Sequence, residues 1–238
     1  MKYIIGDIHA NVTQLEKLLK LIRPAPADLL IFLGDYIDKN PHTHQTIALL
    51  EELDSNYDCV FIKGDHEYVW ERYLSYRELS RQEFLLNFGG LATLSQLCPN
   101  PAELIKDNRV DQIKKLLKPY LDFLPRLVDY FVVDQYLALH AGITTHQLAE
   151  KPLKFTELNY FLRPVKIDQT KKYLGRYRLV AGHTHLSGRP VTKPGYINID
   201  LGAGYQGFLG AFCVENHQVF RSDGKVYKMA TTRSFSVV

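Results

Sequence analysis

Apolar residues in this chain come in short unbroken runs, at 3–5, 29–33, 59–63, 136–139 and 178–181. Continuous rather than alternating runs predict strands buried on both faces. Helical periodicity lies between the first three. Residues 11–22 put Val12, Leu15, Leu18, Leu19 and Ile22 on one face, with Asn11 as N-cap and Pro24 and Pro26 as stops. Residues 43–53 repeat the pattern with Ile47, Leu50 and Leu53. This opening reads as βαβαβ, the signature of a parallel sheet. The stretch 67–130 holds helical patterns, at 67–79 and 109–118 among others, broken by Pro99 and Pro101. It reads as a helical insertion. Beyond His183, short strands are expected at 196–200, 209–214 and 218–220, with a turn at 215–217. A tail at about 228–238 is expected to fray. With no internal repeat or linker, the expectation is one α/β domain over 1–238.

Composition narrows the partners. Net charge is +3, from 29 basic and 26 acidic residues, too balanced to predict specific nucleic-acid binding or an anionic membrane. No apolar run is long enough to span a bilayer, and the first residues turn polar too soon for a signal peptide. Three widely spaced cysteines fit a reduced, cytoplasmic protein better than a disulfide scaffold.

The nine histidines matter by position. Each apolar run ends in the same kind of residue: Gly6-Asp7-Ile8-His9, Gly34-Asp35-Tyr36-Ile37-Asp38, Gly64-Asp65-His66-Glu67, His140, and Gly182-His183-Thr184-His185. In open α/β sheets, functional groups gather at the carboxyl ends of strands. Any one Gly-Asp is ordinary turn chemistry, and a lone histidine is usually structural. Five such endings in order are a metal-site pattern. Mixed carboxylate and imidazole donors suit manganese, iron or zinc. The donors are too many for one ion. Two ions sharing a carboxylate would use them, and such pairs clamp the oxygens of phosphoryl transfer.

This series resembles the calcineurin-like metallophosphoesterase superfamily. It resembles in particular the bacterial and phage branch of the phosphoprotein phosphatases, together with symmetrical diadenosine tetraphosphate hydrolases. The resemblance runs from residue 1 to about 214 and includes Asn87 to Leu94, Leu121 to Pro125 and Ile197 to Ala203. It implies a sandwich of two mixed sheets flanked by helices, and two divalent ions, manganese first, with iron, zinc, nickel or cobalt as alternatives. By the same resemblance, Asp7, His9, bridging Asp35 and His185 hold one ion. Asp35, Asp65, His140 and His183 hold the other. His66 is the general acid, oriented by Asp38, and Lys39 and Arg163 bind substrate phosphate.

Three positions depart from the branch pattern: Asp65 for the usual Asn, Lys39 for Arg, and Asn40 for Gly. Lys39 keeps the charge but loses the bidentate fork. Other candidates are set aside. His42 and His44 read as a solvated helix start, His146 and His217 as surface, and Cys59 and Trp70 as core. The expected function is metal-dependent hydrolysis of phosphomonoesters, as in bacterial Ser/Thr protein phosphatases. The substrate would be a phosphoprotein or a small phosphoester. The alternatives are a symmetrical diadenosine tetraphosphate hydrolase, then a nuclease or cyclic phosphodiesterase, then an inactive metal-binding interaction module.

Overall fold

A computed structural model describes residues 1–229. The expected fraying beyond residue 229 lies outside the described residues. The chain opens β1 (Lys2–Ile5), α1 (Val12–Ile22), β2 (Leu29–Phe32), α2 (Thr43–Asn56), β3 (Asp58–Phe61). The N-cap expectation holds: Gln14 N–H donates to Asn11 Oδ1 at 3.3 Å. Residue 65 then begins a helical stretch: α3 (Asp65–Leu74), α4 (Gln82–Asn87), α5 (Gly90–Ser95), α6 (Pro101–Lys106), α7 (Val110–Leu116) and α8 (Lys118–Phe123). The rest of the chain supplies β4 (Tyr130–Val133), β5 (Tyr136–Leu139), α9 (Leu158–Phe161), β6 (Arg178–Ala181), β7 (Val191–Lys193), β8 (Tyr196–Asn198), β9 (Gly210–Cys213), β10 (Gln218–Arg221) and β11 (Val226–Lys228).

The strands form two mixed sheets, ordered β11-β10-β9-β1-β2-β3 and β4-β5-β6-β8-β7. The pairs β1–β2, β2–β3, β5–β6 and β6–β8 are parallel; antiparallel strands form three of the four edges, and parallel β3 forms the fourth. Two strands were not expected, β4 and β7. Both are edge strands with partly exposed residues; β7 (Val191-Thr192-Lys193) has no apolar run, and β4 (Tyr130-Phe131-Val132-Val133) is a short apolar run that follows directly on the helical stretch.

Period-two alternation explains why the other strands are apolar on both faces. Ile4, Ile31, Ala138, Val180 and Ile197 point into a core between the sheets. Ile5, Leu30 and Phe32 point outward, against Leu15, Leu18 and Leu50 of the first two helices. Leu137, Leu139 and Leu179 point the other way, under the segment 143–177, which contributes Ile143, Leu153 and Ile167. The layers run helix, sheet, sheet, covering segment. No helix among the described residues is long and apolar enough to cross a membrane.

Candidate functional site

The carboxyl ends of β1, β2, β3, β5 and β6 deliver Asp7, Asp35, Asp65, His140 and His183 to one place. Backbone bonds lock the first loop onto the second. Ile8 and His9 N–H donate to the Asp35 carbonyl at 3.1 and 2.7 Å, and Ala10 N–H to the Tyr36 carbonyl at 2.7 Å. His9, Asp35, Asp38, Lys39 and His183 all have φ between 49° and 68°. Left-handed conformations in non-glycine residues each cost on the order of 1–2 kcal/mol and cluster where side chains are held for a task.

Three groups of donor atoms converge here: His9 with Asp35 and His66, Asp65 with His140 and His183, and Asp7 with Asp35 and His140. Asp35 is central. Its Oδ2 lies 3.2 Å from His9 Nε2, and its Oδ1 lies 3.5 Å from His140 Nε2. Asp65 Oδ1 faces His140 Nε2 at 2.9 Å and His183 Nδ1 at 3.2 Å. Two rings are fixed from behind, His9 Nδ1 by the Ile37 carbonyl at 3.1 Å and His140 Nδ1 by the Leu33 carbonyl at 2.9 Å. Their Nε2 atoms are thereby aimed inward. Asp7 Oδ2 accepts the His183 N–H at 2.7 Å, while its Oδ1 is buried with no hydrogen-bond partner.

The electrostatics match crowded, buried acids. Burial, with Asp200 nearby, pushes the Asp7 carboxyl well above its ordinary range. Burial acts the same way on Asp65, but the charge of nearby His66 and the hydrogen bonds to His140 and His183 outweigh it and hold that group well below. Burial and the Lys39 ammonium push His9 well down. Burial opposes charge on His140, yet Asp35 and Asp65 raise it well above the usual imidazole range.

His66 sits differently. Its Nδ1 meets Asp38 Oδ2 at 2.6 Å, with Asp38 fully buried. Asp38 also accepts from Trp70 Nε1 at 2.9 Å and from the Thr93 hydroxyl. Burial works against the imidazolium, but Asp35, Asp65 and Asp38 hold it up to about 10.

Lys39 Nζ lies 3.1 Å from His9 Nε2 and 4.2 Å from the centre of the Tyr205 ring. Arg163 is exposed on the wall of the same cleft, which encloses about 470 Å³. His185 also lines the cleft, but it lies outside all three donor groups, exposed, its ring 4.3 Å from that of Tyr205.

Several supports were not expected from sequence. The buried Glu67 carboxylate accepts the N–H groups of Asp35 at 2.7 Å, Tyr36 at 3.0 Å and Gly64 at 3.1 Å. It ties the second and third strand ends together, and burial beside Asp35 pushes it up to about 8. Trp70 is core, as expected, yet its N–H is spent on Asp38. Three other readings change. His42 and His44 are half-buried rather than solvated, and His44 Nε2 contacts the Leu116 carbonyl at the end of α7 at 3.1 Å, next to where α2 packs on the following α8. His217 is half-buried and bonded to the Tyr136 hydroxyl at 2.9 Å. Cys59 is half-buried rather than core, because its strand β3 lies at the sheet edge.

Comparison with known proteins agrees with this geometry. A family model described as calcineurin-like phosphoesterase matches residues 3–203. A bis(5'-nucleosyl)-tetraphosphatase PrpE (asymmetrical) of Halalkalibacterium halodurans is 26% identical over 231 residues, covering 87% of each chain. Among solved structures, a provisionally assigned diadenosine tetraphosphatase is 22% identical with a TM-score of 0.59, over 95% of this chain and 91% of that one. A cold-active protein-tyrosine phosphatase of a Shewanella species is 16% identical with a TM-score of 0.61, over 96% and 80%. At these identities the two structures speak to the fold, which is the two-sheet sandwich expected from sequence.

Proposed function

The chain belongs to the calcineurin-like phosphoesterase family of metal-dependent hydrolases, and from that premise we propose that it cleaves phosphate esters with His66 as proton donor. The observation that carries this is the meeting of three donor groups, two of which share Asp35 and two His140, beside a histidine whose Nδ1 is bonded to the buried Asp38 carboxylate. Metal fits the residues. Asp7 Oδ1 is a buried oxygen without a partner, and such an atom costs stability unless something pairs with it.

We assign Asp35, Asp65, His140 and His183 to one divalent ion, and Asp7, His9 and Asp35 to the other, with His185 as its fourth ligand. His66 is not assigned as a ligand because its Nδ1 is committed to Asp38, which holds the ring in place as the proton donor. Two divalent ions, when bound, supply Lewis acidity that activates water and offsets phosphate charge. The water oxygen forms the new bond to phosphorus as the bond to the leaving oxygen breaks, and that oxygen takes its proton from His66 Nε2. Asp38 orients the ring throughout. Lys39 and Arg163 line the cleft and balance the charge of the substrate phosphates.

The first substrate reading is a phosphomonoester. The second is a dinucleoside polyphosphate, favoured by PrpE relatives that match this chain along most of its length. The three free cysteines fit a reducing, cytoplasmic setting. The test is hydrolysis of p-nitrophenyl phosphate with Mn²⁺, followed by a phosphopeptide against diadenosine tetraphosphate. Activity on the first establishes the reaction, and the second pair separates the readings. Metal binding without turnover by any divalent ion overturns the proposal.

A further inference from the structure

The cleft has a wall that the hydrolytic chemistry does not require. Phe84, Phe88 and Phe161 line it on the side of His66. The Phe84 ring meets the His66 ring edge-on at 5.2 Å, lies 4.9 Å from Phe88, and meets Phe161 at 6.4 Å. Phe88 is 54% exposed. Of the large hydrophobic side chains left exposed among the described residues, Phe88 and Tyr205 are the ones that open onto this cleft. A phenylalanine left in water beside charged groups gains nothing for the fold.

Position gives the wall a role. The proton donor must face the leaving oxygen, so the group that departs lies next to Phe84 and Phe88. We propose that these rings form a leaving-group subsite, selecting phosphates that carry a planar aromatic ring over those of aliphatic alcohols. The inference rests on the reading of His66 as proton donor. Aromatic faces take any flat π-system, so a nucleobase and a phenolic ring share the chemistry that would be recognised. The site offers a stacking surface beside two cationic side chains, Lys39 and Arg163. It offers an aliphatic side chain such as that of phosphoserine no comparable partner.

The test uses Phe88→Ala in the full chain, with Phe84→Leu as a second variant. Phe88 is exposed and its ring contact is with Phe84, so the fold should tolerate its loss. Values of kcat/KM are compared for tyrosine phosphate, diadenosine tetraphosphate and serine phosphate. The expected result is an aromatic-over-aliphatic preference that falls about tenfold in Phe88→Ala, carried in KM. The aromatic substrate that loses more identifies the ring. An unchanged preference overturns the inference while leaving the hydrolase reading intact. If the wild type turns over nothing, the hydrolase reading fails alone. Calorimetry then decides the subsite, with adenosine monophosphate and inorganic phosphate titrated into the Mn²⁺-loaded protein. A preference for the nucleotide that Phe88→Ala abolishes supports the subsite, and no such preference overturns it.

Discussion

Asp38 and His66 form a closed pair: a 2.6 Å contact from the ring Nδ1 to a carboxylate with no solvent exposure, itself pinned by Trp70 and Thr93. A partner held that firmly leaves the ring one free nitrogen, Nε2. That atom lies 3.9 Å from Asp35 Oδ2, at the edge of the proposed metal ligands.

Asp38→Asn removes the charge behind the ring while leaving an oxygen for Trp70. It should lower kcat about a hundredfold on an alkyl phosphate, whose leaving oxygen needs a proton. The loss should be much smaller on p-nitrophenyl phosphate, whose leaving group departs readily as an anion. Steady-state kinetics at saturating Mn²⁺ on both substrates checks this. Equal losses on the two would mean that the pair does not deliver the proton.

Asp65 takes the place where the resemblance leads one to expect asparagine, and its Oδ1 faces two histidine nitrogens at 2.9 and 3.2 Å. Asp65→Asn keeps an oxygen donor and removes its charge. Metal affinity should fall at least about tenfold, since even changes behind a ligand cost that much. Titration calorimetry with Mn²⁺ measures it, with a thermal melt in chelator as the folding control. If metal content and rate are both unchanged, Asp65 does not hold the ion.

The strand ends and their donors were legible in the chain because each donor lies within a few residues of an apolar run. Asp7, Asp35, Asp65, His140 and His183 could be read that way. The supports could not. Thr93 meets Asp38 across 55 residues and Trp70 across 32, and no periodicity reports such pairings. The aromatic wall is assembled from Phe84, Phe88 and Phe161, which share a face only after α4 and α9 pack beside the cleft. His185, a ligand by the family resemblance, lies beyond a bend at His183 and Thr184 with its ring against Tyr205, a placement that neither the motif nor any apolar run signals. Edge strand β7 has no apolar run to mark it, and β4, though apolar throughout, is a four-residue run ending a helical stretch and lacks a Gly-Asp or His ending.

Glu67 should matter more for stability than for chemistry. Its carboxylate satisfies three buried backbone N–H groups from two loops. Glu67→Gln replaces one accepting oxygen by a donor, which cannot pair with an N–H. The cost should be about 1–3 kcal/mol, the range for leaving a buried donor without its partner. In a chain this long, each kcal/mol corresponds to about 2–4 °C in Tm. Calorimetric melting in chelator, where metal cannot compensate, would show the drop. An unchanged Tm would mean that these amides find other partners.

Gly182 offers the sharpest single-site test of the site's geometry. A Cβ built there would lie 1.8 Å from Asp7 Oδ1, the buried oxygen without a partner, and 2.8 Å from its Cγ. Nothing short of moving Asp7 relieves that contact, because Asp7 Oδ2 is tied to the His183 N–H by a 2.7 Å bond. Gly182→Ala should therefore cost about 1–3 kcal/mol of stability, as overpacking does, and should disturb the ion assigned to Asp7 and His9 before the one assigned to Asp65 and His140. Metal stoichiometry by elemental analysis after desalting is the readout. The expected result is a folded protein that retains one equivalent where the wild type retains two. Two equivalents in the variant would show that Asp7 is not needed to hold an ion, and its assignment as a ligand would be withdrawn.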